Sequence, residues 1–236
     1  MTNNCIVLVS NKRYQKYLDF MLWQLKNYSI NTFVICEKDV IVGNNVNTLD
    51  PNDYDILGDI SNYPPNTNLN GALYKLLIPY ITELKSYDKA LYMDLDIRLL
   101  DGWTDIFEQK QSKPILATKD SGIDQWFVAL NHMQEVYHNR EFEYANTGVM
   151  LFDFKQWNFD ADGMKKMIQT ALHNRWMYAD QDILNGANII DCSLDRRFNT
   201  YSHLIDSSTL ISHYTASVDA KDRFNTYISE TLANPK

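Results

Sequence analysis

The sequence predicts an α/β fold with a mostly parallel central sheet flanked by helices. Three observations predict it. Apolar, β-branched runs of strand length occur at residues 5–9, 32–36, 90–93, 115–118 and 148–154. Between them lie stretches with helical spacing, such as Tyr14, Tyr17, Leu18, Met21, Leu22 and Leu25. No linker, internal repeat or low-complexity tract breaks the alternation over 236 residues, so one domain covering 1–236 is expected.

Taken in order, residues 5–9 form a buried strand, residues 14–25 an amphipathic helix and residues 32–36 a second strand. That opening calls for a parallel pair joined by a right-handed crossover. Residues 40–65 are polar, rich in Asn and Asp, and carry Pro51, Pro64 and Pro65. They read as loops around one weak strand or short helix. Residues 71–84 read as a helix bent or interrupted near Pro79. A strand at 90–93 follows, then a short helix at 103–107 after a turn at Gly102. Strands at 115–118 and 148–154 and helices at 163–174 and 181–188 come next. Residues 192–198 and 210–213 read as late strands or strand-like loops. Phe224, Tyr227, Ile228 and Leu232 then space as a packing helix over residues 219–233.

Composition excludes several classes. Hydrophobic residues at 45% and charged residues at 22% describe an ordinary globular chain. A net charge of -8 argues against a nucleic-acid surface, which needs clustered Lys and Arg, and against adhesion to an anionic membrane. No apolar run approaches the ~18 residues that span a bilayer. The apolar start is too short for a signal peptide and lacks a cleavage region. Cys5, Cys36 and Cys192 are odd in number and far apart, giving neither a disulfide framework nor a Cys-x-x-Cys zinc site. A reducing cytoplasm is the expected location. Asn27-Tyr-Ser29 matches a glycosylation acceptor, which means nothing without secretion.

The chemistry concentrates after the strand at 90–93, in Asp94-Leu-Asp96. In an extended chain alternate side chains point the same way, so both carboxylates can grip one hard divalent cation while Leu95 enters the core. The plainer reading is a pair of solvated acids. An EF-hand beginning at Asp94 is rejected, because Arg98 and Leu99 stand where an oxygen ligand and a glycine are required. No G-x-x-x-x-G-K or G-x-G-x-x-G occurs, so a bound pyrophosphate would need a metal and a side-chain cation. In such sheets ligands bind beyond the carboxyl ends of strands, where the acid pair sits. His213 also follows an apolar run. An imidazole added to two carboxylates suits Mn2+, and its alternative is a hydrogen-bonded histidine near a strand end.

Several blocks flank the acid pair: Asn70-Gly-Ala-Leu-Tyr-Lys-Leu-Leu-Ile-Pro79, Tyr144-Ala-Asn-Thr-Gly-Val-Met-Leu-Phe-Asp153, Tyr178-Ala-Asp-Gln-Asp-Ile-Leu-Asn185 and Ile211-Ser-His-Tyr214. In that order they resemble glycosyltransferase family 8, over nearly the whole chain from residue 5 to 214. The resemblance implies a GT-A-like fold and a metal-dependent transferase. It would move a hexose from a nucleoside diphosphate sugar, UDP-glucose or UDP-galactose, to a glycan or glycoconjugate hydroxyl with retention.

The same resemblance assigns residues. Asp94, Asp96 and His213 would hold Mn2+ or Mg2+, and Lys75 would contact the donor phosphates, where its alternative is a solvated surface lysine. Asn146, alternatively part of a turn into the next strand, would help hold the sugar. Asp120 would bind donor hydroxyls, with Asp124 as a competitor. Asp180 and Gln181, which also read as a helix N-terminus, would face the reacting sugar. Gln181 is a poor nucleophile, so same-face attack with stabilised oxocarbenium charge is expected.

Asn11 stands where the family usually carries Asp to read the nucleotide, and Tyr14 matches an aromatic near the base. The family's Gly and Lys-Pro-Trp after the histidine are absent here, leaving Lys221 as the substitute for that lysine. The alternatives are a divergent or inverting transferase with Asp180 or Asp182 as base, and a carbohydrate- or nucleotide-sugar-binding protein without turnover. A nucleotidyltransferase is disfavoured because no glycine accompanies Asn11-Lys-Arg13.

Overall fold

The protein is described by a computed structural model covering residues 3–43, 45–58, 69–120, 143–174, 176, 178–214 and 218–233. Asp124, Pro64 and Pro65 lie outside the described residues.

The strands are β1 (Asn4–Ser10), β2 (Asn31–Cys36), β3 (Asn47–Leu49), β4 (Lys89–Met93), β5 (Ile97–Leu99), β6 (Ile115–Lys119), β7 (Ala145–Asp153), β8 (Ile190–Asp191), β9 (Thr200–Tyr201) and β10 (Ile211–His213). The α-helices are α1 (Gln15–Leu25), α2 (Leu69–Leu73), α3 (Ala161–His173), α4 (Ala179–Gly186) and α5 (Val218–Ala233). Seven strands form the central sheet in the order β3-β2-β1-β4-β7-β6-β8, and β5-β10-β9 form a small second sheet. Among the described residues of the large sheet, only the pairings of β7 with β4 and β6 are antiparallel. The expected mostly parallel sheet is therefore present, with one reversed strand.

Alternation along the strands sorts the core onto two faces. Cys5, Val7, Val9, Ala90 and Tyr92 join one cluster, which α3 and α4 complete through Met164, Ile168 and Ile183. Ile6, Leu8, Leu91 and Met93 join the other, with Leu18 and Met21 of α1. A sheet buried on both faces needs continuous apolar strands, which is why β1 shows no polar alternation. α5 docks on α1 through Phe224, whose ring stacks on Tyr17 at 5.6 Å and meets Phe20 edge-on at 5.7 Å.

Three local expectations change. Residues 71–84 do not make one bent α-helix: α2 gives way to a 3-10 helix over Tyr74–Tyr80 and a second over Thr82–Ser86. The Pro79 ring would clash with the carbonyl four residues back in an α-helix, and the chain winds more tightly there. Asn146-Thr-Gly148 is not a turn, because β7 already begins at Ala145. Asp94 and Asp96 are not on an extended strand but in the bend between β4 and β5. There β4 stays with β7, while β5 departs to pair with β10. Leu95 nevertheless enters the core as expected. Gly102 makes its turn with φ of 84°, a left-handed conformation that favours glycine.

Because β7 runs backwards, its first residues lie at the same sheet edge as the last residues of β1, β4 and β6. Met93 pairs with Val149 and Lys119 with Ala145. The site occupies that edge.

Candidate functional site

One cavity of about 490 Å³ opens there, lined by eleven of the sequence-predicted site residues: Asn11, Tyr14, Lys75, Asp94, Asp96, Asp120, Asn146, Asp180, Gln181, His213 and Lys221. They come from six separate elements and the bends between them, so the fold brings them together and no local stretch does.

On one bank, Asp94, Asp96 and His213 offer ligand atoms within 4.8 Å of one another. His213 Nε2 lies 3.3 Å from Asp96 Oδ1 and 3.7 Å from Asp94 Oδ2. Antiparallel pairing of β10 with β5 sets His213 beside Ile97, and the Tyr214 N–H bonds the Asp96 carbonyl at 2.9 Å. That register holds the imidazole over the acid bend. Two carboxylates and one imidazole nitrogen are the donor set that Mn2+ or Mg2+ accepts with positions left over. The other ring nitrogen, Nδ1, sits 2.9 Å from Asn199 Oδ1. An amide oxygen accepts only, so Nδ1 carries the proton and Nε2 is available to a metal.

Charge is shared unequally within the bank. Asp94 Oδ1 accepts from Lys75 Nζ at 3.2 Å and from the Tyr92 hydroxyl at 2.5 Å, leaving Oδ2 toward His213. Burial would raise the Asp94 carboxyl, but Lys75, His213 and the Tyr92 hydroxyl outweigh it and hold it below the ordinary carboxylate value. Burial would likewise lower the His213 imidazole, yet Asp96 and then Asp94 push it above its usual 6.5. Burial, followed by Asp96 and Asp94, raises the Tyr14 hydroxyl, which marks how near that ring lies to the acids.

Lys75 is 3% exposed, so the solvated-surface reading fails. Its ammonium reaches Asp180 Oδ2 at 2.9 Å, Asp94 Oδ1 at 3.2 Å and the Thr147 carbonyl at 3.4 Å, and lies 4.7 Å from the Tyr92 ring centre. Burial opposes this charge, but Asp180 and Asp94 overcome it and raise the ammonium well above its ordinary value. The three N–H groups are thus engaged within the protein.

The opposite bank is a network of amides and carboxylates. Asp120 Oδ1 accepts from the Tyr201 hydroxyl at 2.8 Å, and Oδ2 accepts from Gln181 Nε2 at 3.1 Å and Asn146 Nδ2 at 3.3 Å. Gln181 Oε1 accepts from the Thr147 N–H at 3.0 Å. Asp180 and Gln181 belong to the first turn of α4, so the helix-terminus reading and the cavity-lining reading are both true. Asp182, a candidate base, instead accepts from the Tyr144 hydroxyl at 2.5 Å and the Tyr178 N–H at 2.9 Å, away from the cavity lining. It fastens α4 to the sheet.

At the nucleotide end of the expected site, Asn11 Oδ1 accepts from the Arg13 N–H at 3.0 Å and caps the 3-10 turn Lys12–Tyr14. Lys221 is exposed in the first turn of α5 and reaches the same cavity. Sequence reasoning missed Tyr92, Thr147, Asn199 and Tyr201. Tyr92 was accessible, since it lies only two residues before Asp94 at the end of β4. Asn199 and Tyr201 meet their partners across 53 and 81 residues, with no local signal.

The architecture is similar to that of solved glycosyltransferases. The galactosyltransferase LgtC, solved with donor and acceptor sugar analogs, is 19% identical, with 96% of this chain and 95% of that one covered and a TM-score of 0.66. The WbbM bifunctional glycosyltransferase is 14% identical over 97% of this chain and 50% of that one, with a TM-score of 0.69. Mouse xyloside xylosyltransferase 1 is 11% identical over 92% of this chain and 99% of that one, with a TM-score of 0.60. At such identities the likeness is one of fold, which is GT-A-like. No curated protein sequence matches significantly. The sequence profile of glycosyl transferase family 8, in contrast, matches residues 65–219. That span runs from the approach to Lys75 through the acid bend and the Asp120–Gln181 bank to just past His213, and it places the chain in glycosyl transferase family 8 as a glycosyltransferase.

Proposed function

We propose that the chain transfers a hexose from UDP-galactose or UDP-glucose to a hydroxyl of a glycan or glycoconjugate, with retention and with Mn2+ or Mg2+ as cofactor. The observation that carries this reading is the meeting of two banks in one cavity. An Asp94–Asp96–His213 cluster fit for a divalent ion faces a hydroxyl-binding array of Asp120, Asn146, Asp180 and Gln181. The galactosyltransferase activity of LgtC supports galactose among the two hexoses. Residues 1–236 are read as acting as a single GT-A-like domain.

Asp94, Asp96 and His213 would hold the ion, which when bound supplies positive charge to diphosphate oxygens as the glycosidic bond breaks. The other residues do the remaining work. Tyr14 and Asn11 would border the nucleotide, and Lys221 would reach the diphosphate from α5. Asp120 and Asn146 present acceptors and donors to sugar hydroxyls. Lys75 supplies a buried countercharge shared between the Asp94 and Asp180 side chains.

Gln181 is held by the Thr147 N–H and by Asp120, so its amide is fixed and is a poor nucleophile. Retention then follows from attack on the face the phosphate leaves, with the Asp180 carboxylate and the Gln181 amide dipole stabilising oxocarbenium charge. The acceptor proton passes to the departing phosphate oxygen. The carboxylate-spacing rule for hydrolases does not apply to this transfer, in which no enzyme carboxylate serves as nucleophile. Asp182, held by Tyr144 and Tyr178, does not serve as an inverting base.

The test is UDP release from UDP-galactose and UDP-glucose, with Mn2+ and with EDTA, in wild type and Asp94→Asn. Mn2+-dependent release abolished by the substitution is expected. Mn2+-dependent nucleotide binding without release would instead support a binding protein, and no binding would overturn the reading.

A further inference from the structure

The two banks are joined by one side chain that does not line the cavity. Asn199, 5% exposed, lies between the 3-10 turn Arg196–Phe198 and β9. Its carboxamide uses both ends. Oδ1 faces His213 Nδ1 at 2.9 Å, while Nδ2 donates to Asn146 Oδ1 at 2.8 Å and to Thr118 Oγ1 at 3.1 Å.

The two ends cannot be exchanged. Turning the amide would set its oxygen against Asn146 Oδ1, an acceptor that already takes the Gly148 N–H at 3.0 Å. The oxygen therefore faces the histidine and accepts from a proton on Nδ1, while Nε2 is the nitrogen turned toward Asp96 and Asp94, at 3.3 and 3.7 Å. From Asn146 the chain of bonds continues through Asp120 to Gln181.

We propose that Asn199 is a positioning residue for both banks, fixing His213 in its Nδ1–H form with one end of the amide and fixing Asn146 beside Asp120 with the other. The inference rests on Asp94, Asp96 and His213 being a metal site. It adds that a buried amide, beside the Lys75 bridge from Asp94 to Asp180, holds the metal bank and the sugar bank in register. Such outer partners of a metal-ligating histidine set its ring orientation and its affinity for the ion.

The two ends can be separated by substitution. Asn199→Asp retains an oxygen to accept from His213 Nδ1–H but removes both donors. Asn199→Ala removes everything. The probe is Mn2+ alone, titrated by calorimetry into the metal-free full chain, with circular dichroism and thermal unfolding to confirm that each variant is folded. Beside it, nitrogen NMR of the imidazole in metal-free wild type, at a pH where the ring is neutral, reports the tautomer.

The expected results are an Nδ1–H ring in wild type and Mn2+ binding weakened about tenfold or more in Asn199→Ala. In Asn199→Asp, Mn2+ affinity should stay within about threefold of wild type while the KM for the sugar nucleotide rises. An Nε2–H ring in wild type overturns the proposal, as does Mn2+ affinity in Asn199→Ala equal to wild type. Loss of Mn2+ in Asn199→Asp as large as in Asn199→Ala overturns it too. Wild type that binds no Mn2+ sinks the metal-site reading instead, and the tautomer still decides whether Asn199 orients the ring.

Discussion

A Cβ on Gly148 would overlap the imidazole of His213, whose Nδ1 and Nε2 lie 2.8 and 3.0 Å from where it would stand. The glycine leaves room for that ring to come close to β7, and Gly148→Ala should push His213 off the acid bend. We expect about tenfold or greater loss of Mn2+ affinity by calorimetry, with about 1–3 kcal/mol of stability lost to overpacking. Unchanged Mn2+ binding would show that the ring does not need this seat. Lys75 gives a second prediction. Lys75→Met takes the cation from the buried Asp180 carboxylate and leaves Asp94 with His213 alone beside it, so the metal-free protein should lose about 3 kcal/mol in urea unfolding. Mn2+ should restore part of that loss, and a variant as stable as wild type in EDTA would refute the ion-pair account. His213 sets the pH behaviour. Asp96 and Asp94 raise its imidazole above 6.5 against burial, and an imidazolium cannot ligate. Apparent Mn2+ affinity should therefore fall as pH is lowered, with the decline beginning above 6.5. Stability of the metal-free form runs the other way. The raised value contributes stability that is full below the unfolded-state value and lost as pH rises through the folded one.

At the scale of elements, α4 is buried along its whole length and sewn to the start of β7. Asn185 Oδ1 accepts from the Ala145 N–H at 2.8 Å, and Asn185 Nδ2 donates to the Ala145 carbonyl at 2.9 Å, so one amide replaces a missing ladder partner. Asn185→Ala strands both buried backbone groups and should cost about 2 kcal/mol by urea denaturation. A cost near zero would show that water or a backbone shift replaces the amide. The strands themselves were legible from their apolar runs, because burial on both faces leaves no room for polar residues. Helix type was less so. Apolar positions three apart suit both windings, so Tyr74–Tyr80 looked α-helical although Pro79 favours the tighter coil. The acid pair was legible by its chemistry rather than its backbone: the carboxylates converge in a bend, where β4 and β5 part.

For the whole molecule, the reversed strand β7 delivers Asn146 and Thr147 to the edge where β1, β4 and β6 end. Direction of this kind depends on pairings between residues far apart, so the sequence could name many of the cavity's polar residues but not the bonds among them. Among the described residues no helix is long and apolar enough to cross a membrane. A divalent ion that binds only the assembled bend should stabilise the entire fold. At about 100-fold above its dissociation constant, Mn2+ should add about 2.7 kcal/mol, roughly 5–10 °C in Tm for a chain of this size. Thermal scans with Mn2+ and with EDTA measure it, and Asp96→Asn should show no rise. The wiring of the cavity has one more consequence. The Gln181 amide, the Asp120 carboxylate and the Lys75 ammonium all hold protein partners before any sugar arrives. Ligand entry is then an exchange of partners with little net gain in bond enthalpy. A ligand hydroxyl in the wrong place would break an internal bond without replacing it, so the internal bonds would themselves act against a mismatched ligand.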